Sequence, residues 1–259
     1  MKILFLGDIV GRPARIYLKE FLPLLIKNER LDLVVANAEN AAGGSGITEK
    51  VAEELFSSGI DIMTTGDHAF KKKDIFNIID TKDIIRPLNY GDLAKGRGYL
   101  IKEKNGVKVG VVNLLGRVFM QPIDCPFKAV TAVLEEILSQ TKIVLVDMHA
   151  EATSEKLAMG NFLVQKVSAV IGTHTHIPTA DERIMENFTA YITDVGMTGP
   201  FDSILGRRKE DIIEKFLTNI PCRFNLAEAD VRMQGVFLEI DEDSGRALDI
   251  KRVEYKQGV

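Results

Sequence analysis

The 259-residue sequence is poor in cysteine, in histidine and in long apolar runs, and each shortage excludes something. Cys125 and Cys222 lie far apart and form no C-x-x-C pair, so a disulfide framework and a thiolate zinc site both lack their residues. Any bound metal must therefore use nitrogen and oxygen donors. No stretch approaches the roughly eighteen apolar residues needed to span a bilayer, and the opening Lys2 to Leu6 is too short for a signal-peptide core. A cytoplasmic location away from membranes is the expectation. An excess of positive charge is missing too. With 33 Lys and Arg against 37 Asp and Glu, the net charge of −4 gives no field to hold a long nucleic acid. Neither G-x-x-x-x-G-K before Ser or Thr nor G-x-G-x-x-G after a strand occurs, which removes the usual handles of nucleoside triphosphatases and dinucleotide dehydrogenases.

What is present is ordinary globular material. With 46% hydrophobic and 27% charged residues there is enough for a packed core, and no Ser/Gly-rich linker, charge block or repeat divides the chain. Residues 1–259 are therefore expected to form a single α/β domain. Lys2 to Leu6, Leu31 to Ala36 and Asp61 to Thr65 read as buried parallel strands alternating with helices. Pro13 suits the first turn of a helix, Thr48 caps the next one, and Pro23 is expected to end or kink the first. Val130, Val133, Leu134, Ile137 and Leu138 keep the spacing of a helix lying on a core, as Leu157, Leu163, Val164 and Val167 do less strictly. Asn105-Gly106 joins Gly98 to Lys102 with Val107 to Leu114, and Asp243-Ser244-Gly245 joins Val231 to Ile240 with Arg246 to Tyr255; both are hairpin signals. Hairpins mixed with βα units predict two sheets face to face with helices outside each, a four-layer α/β/β/α sandwich. The apolar hairpin faces also offer a surface for a homo-oligomer.

Chemically capable residues recur directly after apolar strands. Asp8 follows Ile3 to Leu6, Glu39 and Asn40 follow Leu33 to Ala36, and Asp67 and His68 follow Ile62 to Thr65. His149 follows Ile143 to Val146, and His174 and His176 follow Ala169 to Ile171. Strand carboxyl ends in α/β sheets line a common crevice, so these side chains are expected to converge. Singly, each has a bland role: Asp8 as a cap or turn former, His174 and His176 as loop histidines. Their repetition at five strand ends carries the argument. Mixed imidazole and oxygen donors without thiolates suit iron, manganese or zinc better than magnesium or calcium. Asp8, Glu39, Asn40, Asp67, His149, His174 and His176 are too many donors for one tetrahedral zinc. They suit two ions about 3.5 to 4 Å apart, with Glu39 the bridging candidate. His174 and His176, two apart in an extended segment, would point to the same side, with Gly172 letting the backbone turn. Arg12 and Gly43-Gly44-Ser45-Gly46 suit a phosphate by charge and backbone amides, and equally suit a solvated helix start and a tight turn.

Gly7-Asp8-Ile9-Val10-Gly11, Asn37-Ala38-Glu39-Asn40, Gly66-Asp67-His68, the run Asp147 to Glu155, Gly172-Thr173-His174-Thr175-His176 and Thr193 to Pro200 occur in that order. Over essentially its whole length the chain resembles the calcineurin-like metallophosphoesterases, and most closely the YmdB-like branch of 2′,3′-cyclic-nucleotide 2′-phosphodiesterases. The resemblance implies a first metal on Asp8, Glu39, Asn40 and His176, and a second on Glu39, Asp67, His149 and His174. The pair would be divalent or mixed-valence transition ions, iron or manganese foremost, with zinc an alternative. It further implies a small-molecule phosphodiester substrate, with a metal-bound hydroxide opening a 2′,3′-cyclic nucleotide to the 3′-nucleotide. His68 would stand just outside the ligands as proton donor, and Asp194, Thr198 and Ser203 would line the pocket. Two positions depart from the wider pattern. Val10 replaces the histidine of the superfamily's D-x-H, as the YmdB-like branch allows, and Asp67 replaces an asparagine, adding a negative charge to the ligand set. A phosphomonoesterase of the same fold and a catalytically weak, metal-binding regulatory protein remain the alternative readings.

Overall fold

The computed structural model describes residues 1–258. In order, the chain forms β1 (Lys2–Leu6), β2 (Asp8–Ile9), α1 (Gly11–Glu29), β3 (Leu33–Asn37), α2 (Glu49–Ser57) and β4 (Ile62–Thr64). After a short 3-10 turn come β5 (Tyr99–Lys104), β6 (Val107–Leu115), α3 (Pro126–Leu138), β7 (Ile143–His149), α4 (Thr153–Leu163) and β8 (Ala169–Thr173). The last third forms β9 (Arg183–Met185), β10 (Thr189–Ile192), β11 (Met197–Pro200), α5 (Lys209–Thr218), β12 (Val231–Ile240) and β13 (Ala247–Lys256).

Side-chain alternation sets the layers. In β1 and β3, Leu4, Leu6, Val34 and Ala36 pack with Leu18, Leu22 and Leu55 of α1 and α2, while Ile3, Phe5, Leu33 and Val35 face the second sheet. That sheet answers with Val109, Val111, Ile143 and Leu145, and turns Val112, Val144, Val146 and Val170 toward Val130 and Met159 of α3 and α4. With a period of two, each strand serves two cores. The result is the expected α/β/β/α sandwich. The first sheet runs β2-β11-β12-β1-β3-β4, with β13 also on β12; the second runs β5-β6-β7-β8-β10-β9.

Both hairpins form, within one or two residues of their expected bounds. Thr48 caps α2, its hydroxyl accepting from the Val51 N–H. Of the two outcomes expected at Pro23, the helix does not end there: α1 continues through it to Glu29. The carbonyl that loses its partner belongs to exposed Lys19, while Leu18, Leu22 and Leu25 anchor the helix on both sides of the proline. Packing outweighs a local break on the solvent side. Parallel pairing of β1 with β3 and β3 with β4 brings the carboxyl ends of those strands together, and pairing of β6, β7 and β8 does the same in the second sheet.

Candidate metal centre

The two sets of strand ends are tied across the sandwich. The Asn37 amide donates to Asp147 Oδ2 at 3.2 Å, the Thr65 N–H donates to Asn113 Oδ1 at 3.2 Å, and the His174 N–H donates to Asp8 Oδ2 at 3.0 Å. Around this seam the structure gathers all seven candidate donors and His68.

One group is Glu39, Asp67, His149 and His174, whose donor atoms all lie within 4.8 Å of one another. His149 Nε2 is 3.3 Å from Glu39 Oε1, 3.5 Å from Asp67 Oδ1 and 3.0 Å from His174 Nδ1. Beside it lie Asp8, Asn40 and His176. Asn40 Nδ2 donates to Asp8 Oδ1 at 3.4 Å and to Glu39 Oε1 at 3.3 Å, and His176 Nε2 is 3.7 Å from Asp8 Oδ1. Glu39 thus touches both groups. His68 sits at their edge, its Nδ1 2.8 Å from Asn40 Oδ1 and 3.2 Å from Glu39 Oε1. Gly66 permits this approach: a Cβ there would lie 2.2 Å from His149 Cδ2 and 2.4 Å from Glu39 Oε2.

These donors fit a cation. Asp67 Oδ1, within the cluster 3.5 Å from His149 Nε2, is buried without a hydrogen-bond partner, and such an orphan inside a protein calls for an explanation. The electrostatics agree. Burial opposes charge on His149, yet Glu39 and Asp67 raise its pKa well above the usual imidazole value. Burial likewise opposes ionisation of Glu39, but His149 and His68 hold its carboxyl well below the usual range. The same balance between burial and an opposite charge lowers Asp8 through His176 and raises His176 through Asp8. His174 is held down by burial and by His149. The cluster draws positive charge into a buried place, which a metal ion supplies without protons. Asn40 presents its amide nitrogen to the carboxylates here; holding a cation would require its oxygen, reached by an amide flip.

The backbone aims His174 and His176 by a different device from the extended segment expected. Both have left-handed φ, 97° and 64°, in a bend after β8. His174 turns to Asp67 and His149, and His176 turns to Asp8 and Asn40. Left-handed φ in non-glycine residues costs about 1 to 3 kcal/mol each and persists where surrounding contacts enforce it. Gly172 serves close packing rather than a turn, since a Cβ there would lie 1.7 Å from the Thr193 carbonyl oxygen.

The residues that support the site act differently from what the sequence suggests. Asp194, fully buried, accepts from Lys156 Nζ at 2.8 Å and from Thr175 N and Oγ1 at 3.0 and 2.7 Å, pinning the bend. It supports the loop and does not line the cavity, and neither do Thr198 and Ser203. Ser203 instead accepts from the Gly206 N–H in its own turn. Exposed Arg12 lies at a separate surface cleft with Pro13 and Glu228. Gly43, Gly44 and Gly46 form a left-handed turn, of which Gly44 reaches the cavity. The Glu151 carboxylate meets His174 Nε2 at 3.3 Å. Among the described residues no helix is long and apolar enough to cross a membrane.

Comparison with known proteins gives the chain its family. The profile of the YmdB-like proteins matches residues 4–253. The chain is 45% identical over 254 residues to the 2′,3′-cyclic-nucleotide 2′-phosphodiesterase of Bacillus subtilis (strain 168), covering 98% of this chain and 96% of that protein. A crystal structure of a novel phosphatase from Mycoplasma pneumoniae is similar with a TM-score of 0.92 and 35% identity, covering 99% of this chain and 93% of that one. A calcineurin-like phosphoesterase of Bacillus subtilis shares the fold alone, with a TM-score of 0.57 at 12% identity over 99% of this chain and 90% of that one. The sandwich is accordingly of the calcineurin-like type, and the chain belongs to the YmdB-like family.

Proposed function

We propose that this chain is a metal-dependent phosphodiesterase that opens 2′,3′-cyclic nucleotides to 3′-nucleotides. The observation that carries the reading is the meeting of two donor groups on Glu39, with His68 at their edge, beside a cavity of about 420 Å³ that Glu39, Asn40, His68, His174 and His176 help to line. The relative from Bacillus subtilis is named for the same substrate class. Asp8, Glu39, Asn40 and His176 would hold one transition-metal ion, and Glu39, Asp67, His149 and His174 a second. When bound, such a pair neutralises charge on the phosphoryl oxygens and makes water nucleophilic at neutral pH.

The chain's own residues do the rest. Water adds to phosphorus as the P–O2′ bond breaks, and the departing 2′ oxygen must take a proton. His68 is placed to supply it. Its hydrogen bond with Glu39, against burial, raises its pKa above the usual imidazole value, which favours the doubly protonated ring. Nδ1 lies 3.2 Å from Glu39 Oε1, which takes its proton whichever way the Asn40 amide faces, while Nε2 lies 3.7 Å from Asp67 Oδ2, too far for a hydrogen bond. The Nε2 proton is therefore the mobile one.

Manganese-loaded protein is expected to convert 2′,3′-cyclic AMP to 3′-AMP, followed by chromatography. His68→Ala should retain the metal and lose about 10²- to 10⁴-fold in kcat. Phosphate release from mononucleotides without ring opening would make the chain a phosphomonoesterase. Bound metal with no turnover on either substrate class would make it a regulatory metal protein.

A further inference from the structure

The cavity has a second wall that the hydrolysis itself leaves unused. His68, His174 and His176 line part of it, and so do Leu205, Phe216 and Phe224, from the segment that leads from β11 through α5 toward β12. Phe216 is 83% exposed, and Leu205 and Phe224 are exposed as well. The space falls in the range of about 300 to 1,000 Å³ typical of small-ligand clefts.

Arg207, half buried, lines the same cavity. Its Nη2 donates to the Gly44 carbonyl and its Nη1 to the Phe224 carbonyl at 3.3 Å, and among the described residues no carboxylate pairs with it. The guanidinium thus joins the turn that follows Glu39 and Asn40 to the aromatic wall, with its charge uncompensated. A ligand that suits this arrangement has a flat apolar face at one end and an anion at the other, with the anion toward the histidines. A nucleotide has this shape and charge.

Resting on the phosphodiesterase reading, we propose that Phe216 and Phe224 are the nucleobase-stacking subsite of this enzyme, with Arg207 facing the sugar-phosphate, so that the substrate is a nucleoside cyclic phosphate rather than any strained cyclic diester. Stacking uses the π-face that every base has, so all four 2′,3′-cyclic nucleotides are accepted.

The test compares kcat/KM on 2′,3′-cyclic AMP and on glycerol 1,2-cyclic phosphate, which has the reacting ring without a base. Phe216→Ala should lower the ratio of the two about 5- to 150-fold, the range of one lost base–aromatic stack, chiefly through KM. Phe216→Tyr should restore the ratio. Leu217→Ala is the control, because Leu217 is 82% exposed on the same helix and does not line the cavity; neither rate should change. An unchanged ratio in Phe216→Ala overturns the subsite. So does an equal loss on both substrates together with a shift to smaller particles in light scattering, which would make this face a contact between copies of the chain. If the native protein opens neither diester, the phosphodiesterase reading fails, and calorimetric titration with adenosine decides the subsite by itself. Binding that Phe216→Ala abolishes supports it, and no binding to the native chain removes it.

Discussion

A single hydroxyl hydrogen decides the tautomer of His149. Thr173 Oγ1 donates to Asp147 Oδ1 at 2.6 Å, so at its other contact, 2.8 Å from His149 Nδ1, it must accept. Nδ1 therefore carries the proton, and Nε2 turns to Glu39, Asp67 and His174. Asn37 Nδ2 also approaches Nδ1, but its two hydrogens serve the Thr65 carbonyl and Asp147 Oδ2. Asp147 is fully buried, which pushes its pKa up to about 6, and it accepts from Thr173, Thr64 and Asn37. A ligating imidazole held by a hydrogen bond at its second nitrogen binds metal about 10- to 100-fold better than one left free. Thr173→Val is expected to weaken metal affinity by that factor, measured by calorimetric titration with manganese, while Thr173→Ser keeps it. Native affinity in Thr173→Val would show that the relay orients nothing.

At the scale of elements, the bend after β8 owes its shape to a strand and a helix distant in sequence. Lys156 of α4 and Asp194 beyond β10 form a buried pair at 2.8 Å, and Asp194 then holds Thr175 between the two histidines. Removing one partner of a buried pair typically costs about 3 to 5 kcal/mol because the other charge is left unpaired. Lys156→Met should lose that much stability in urea denaturation, and Lys156→Met with Asp194→Asn should recover part of it. A loss below about 1 kcal/mol, the scale of an exposed pair, would mean that water reaches Asp194. This bend also marks where sequence reasoning stops. The strand ends were legible because a buried strand writes itself locally as an apolar run with its polar residues just beyond. Nothing near His174 announces a left-handed backbone, since that conformation is enforced by residues up to 166 positions away, as with Asp8. The course of α1 past Pro23 and the wall formed by Phe216 and Phe224 escaped for the same reason: long-range packing decides both.

Across the whole molecule, the first sheet supplies Asp8, Glu39, Asn40 and Asp67, and the second supplies His149, His174 and His176, so a cation held by the proposed set would tie the two sheets together. Its contribution to stability depends on pH through the imidazoles. His149 and His176 have folded-state pKa values raised above the unfolded one, although burial opposes both. Without metal, the stability they confer is fully present below about pH 6.5, the unfolded value, and is lost as pH rises through the folded values. A metal ion needs both rings unprotonated, so it competes with those protons and gains as they leave. His174 competes less, because burial and His149 already hold its pKa below the usual value. As pH rises from about 6.5 the metal-free protein is therefore expected to begin losing the stability that its imidazolium groups supply, while the gain on adding manganese grows. At a hundredfold excess over Kd that gain is about 2.7 kcal/mol, or about 5 °C in Tm for a chain of this size. Thermal unfolding with and without manganese at pH 6, 7 and 8 measures it. A Tm gain that shrinks with rising pH would mean that protons and metal do not share these ligands, and that the ion sits elsewhere.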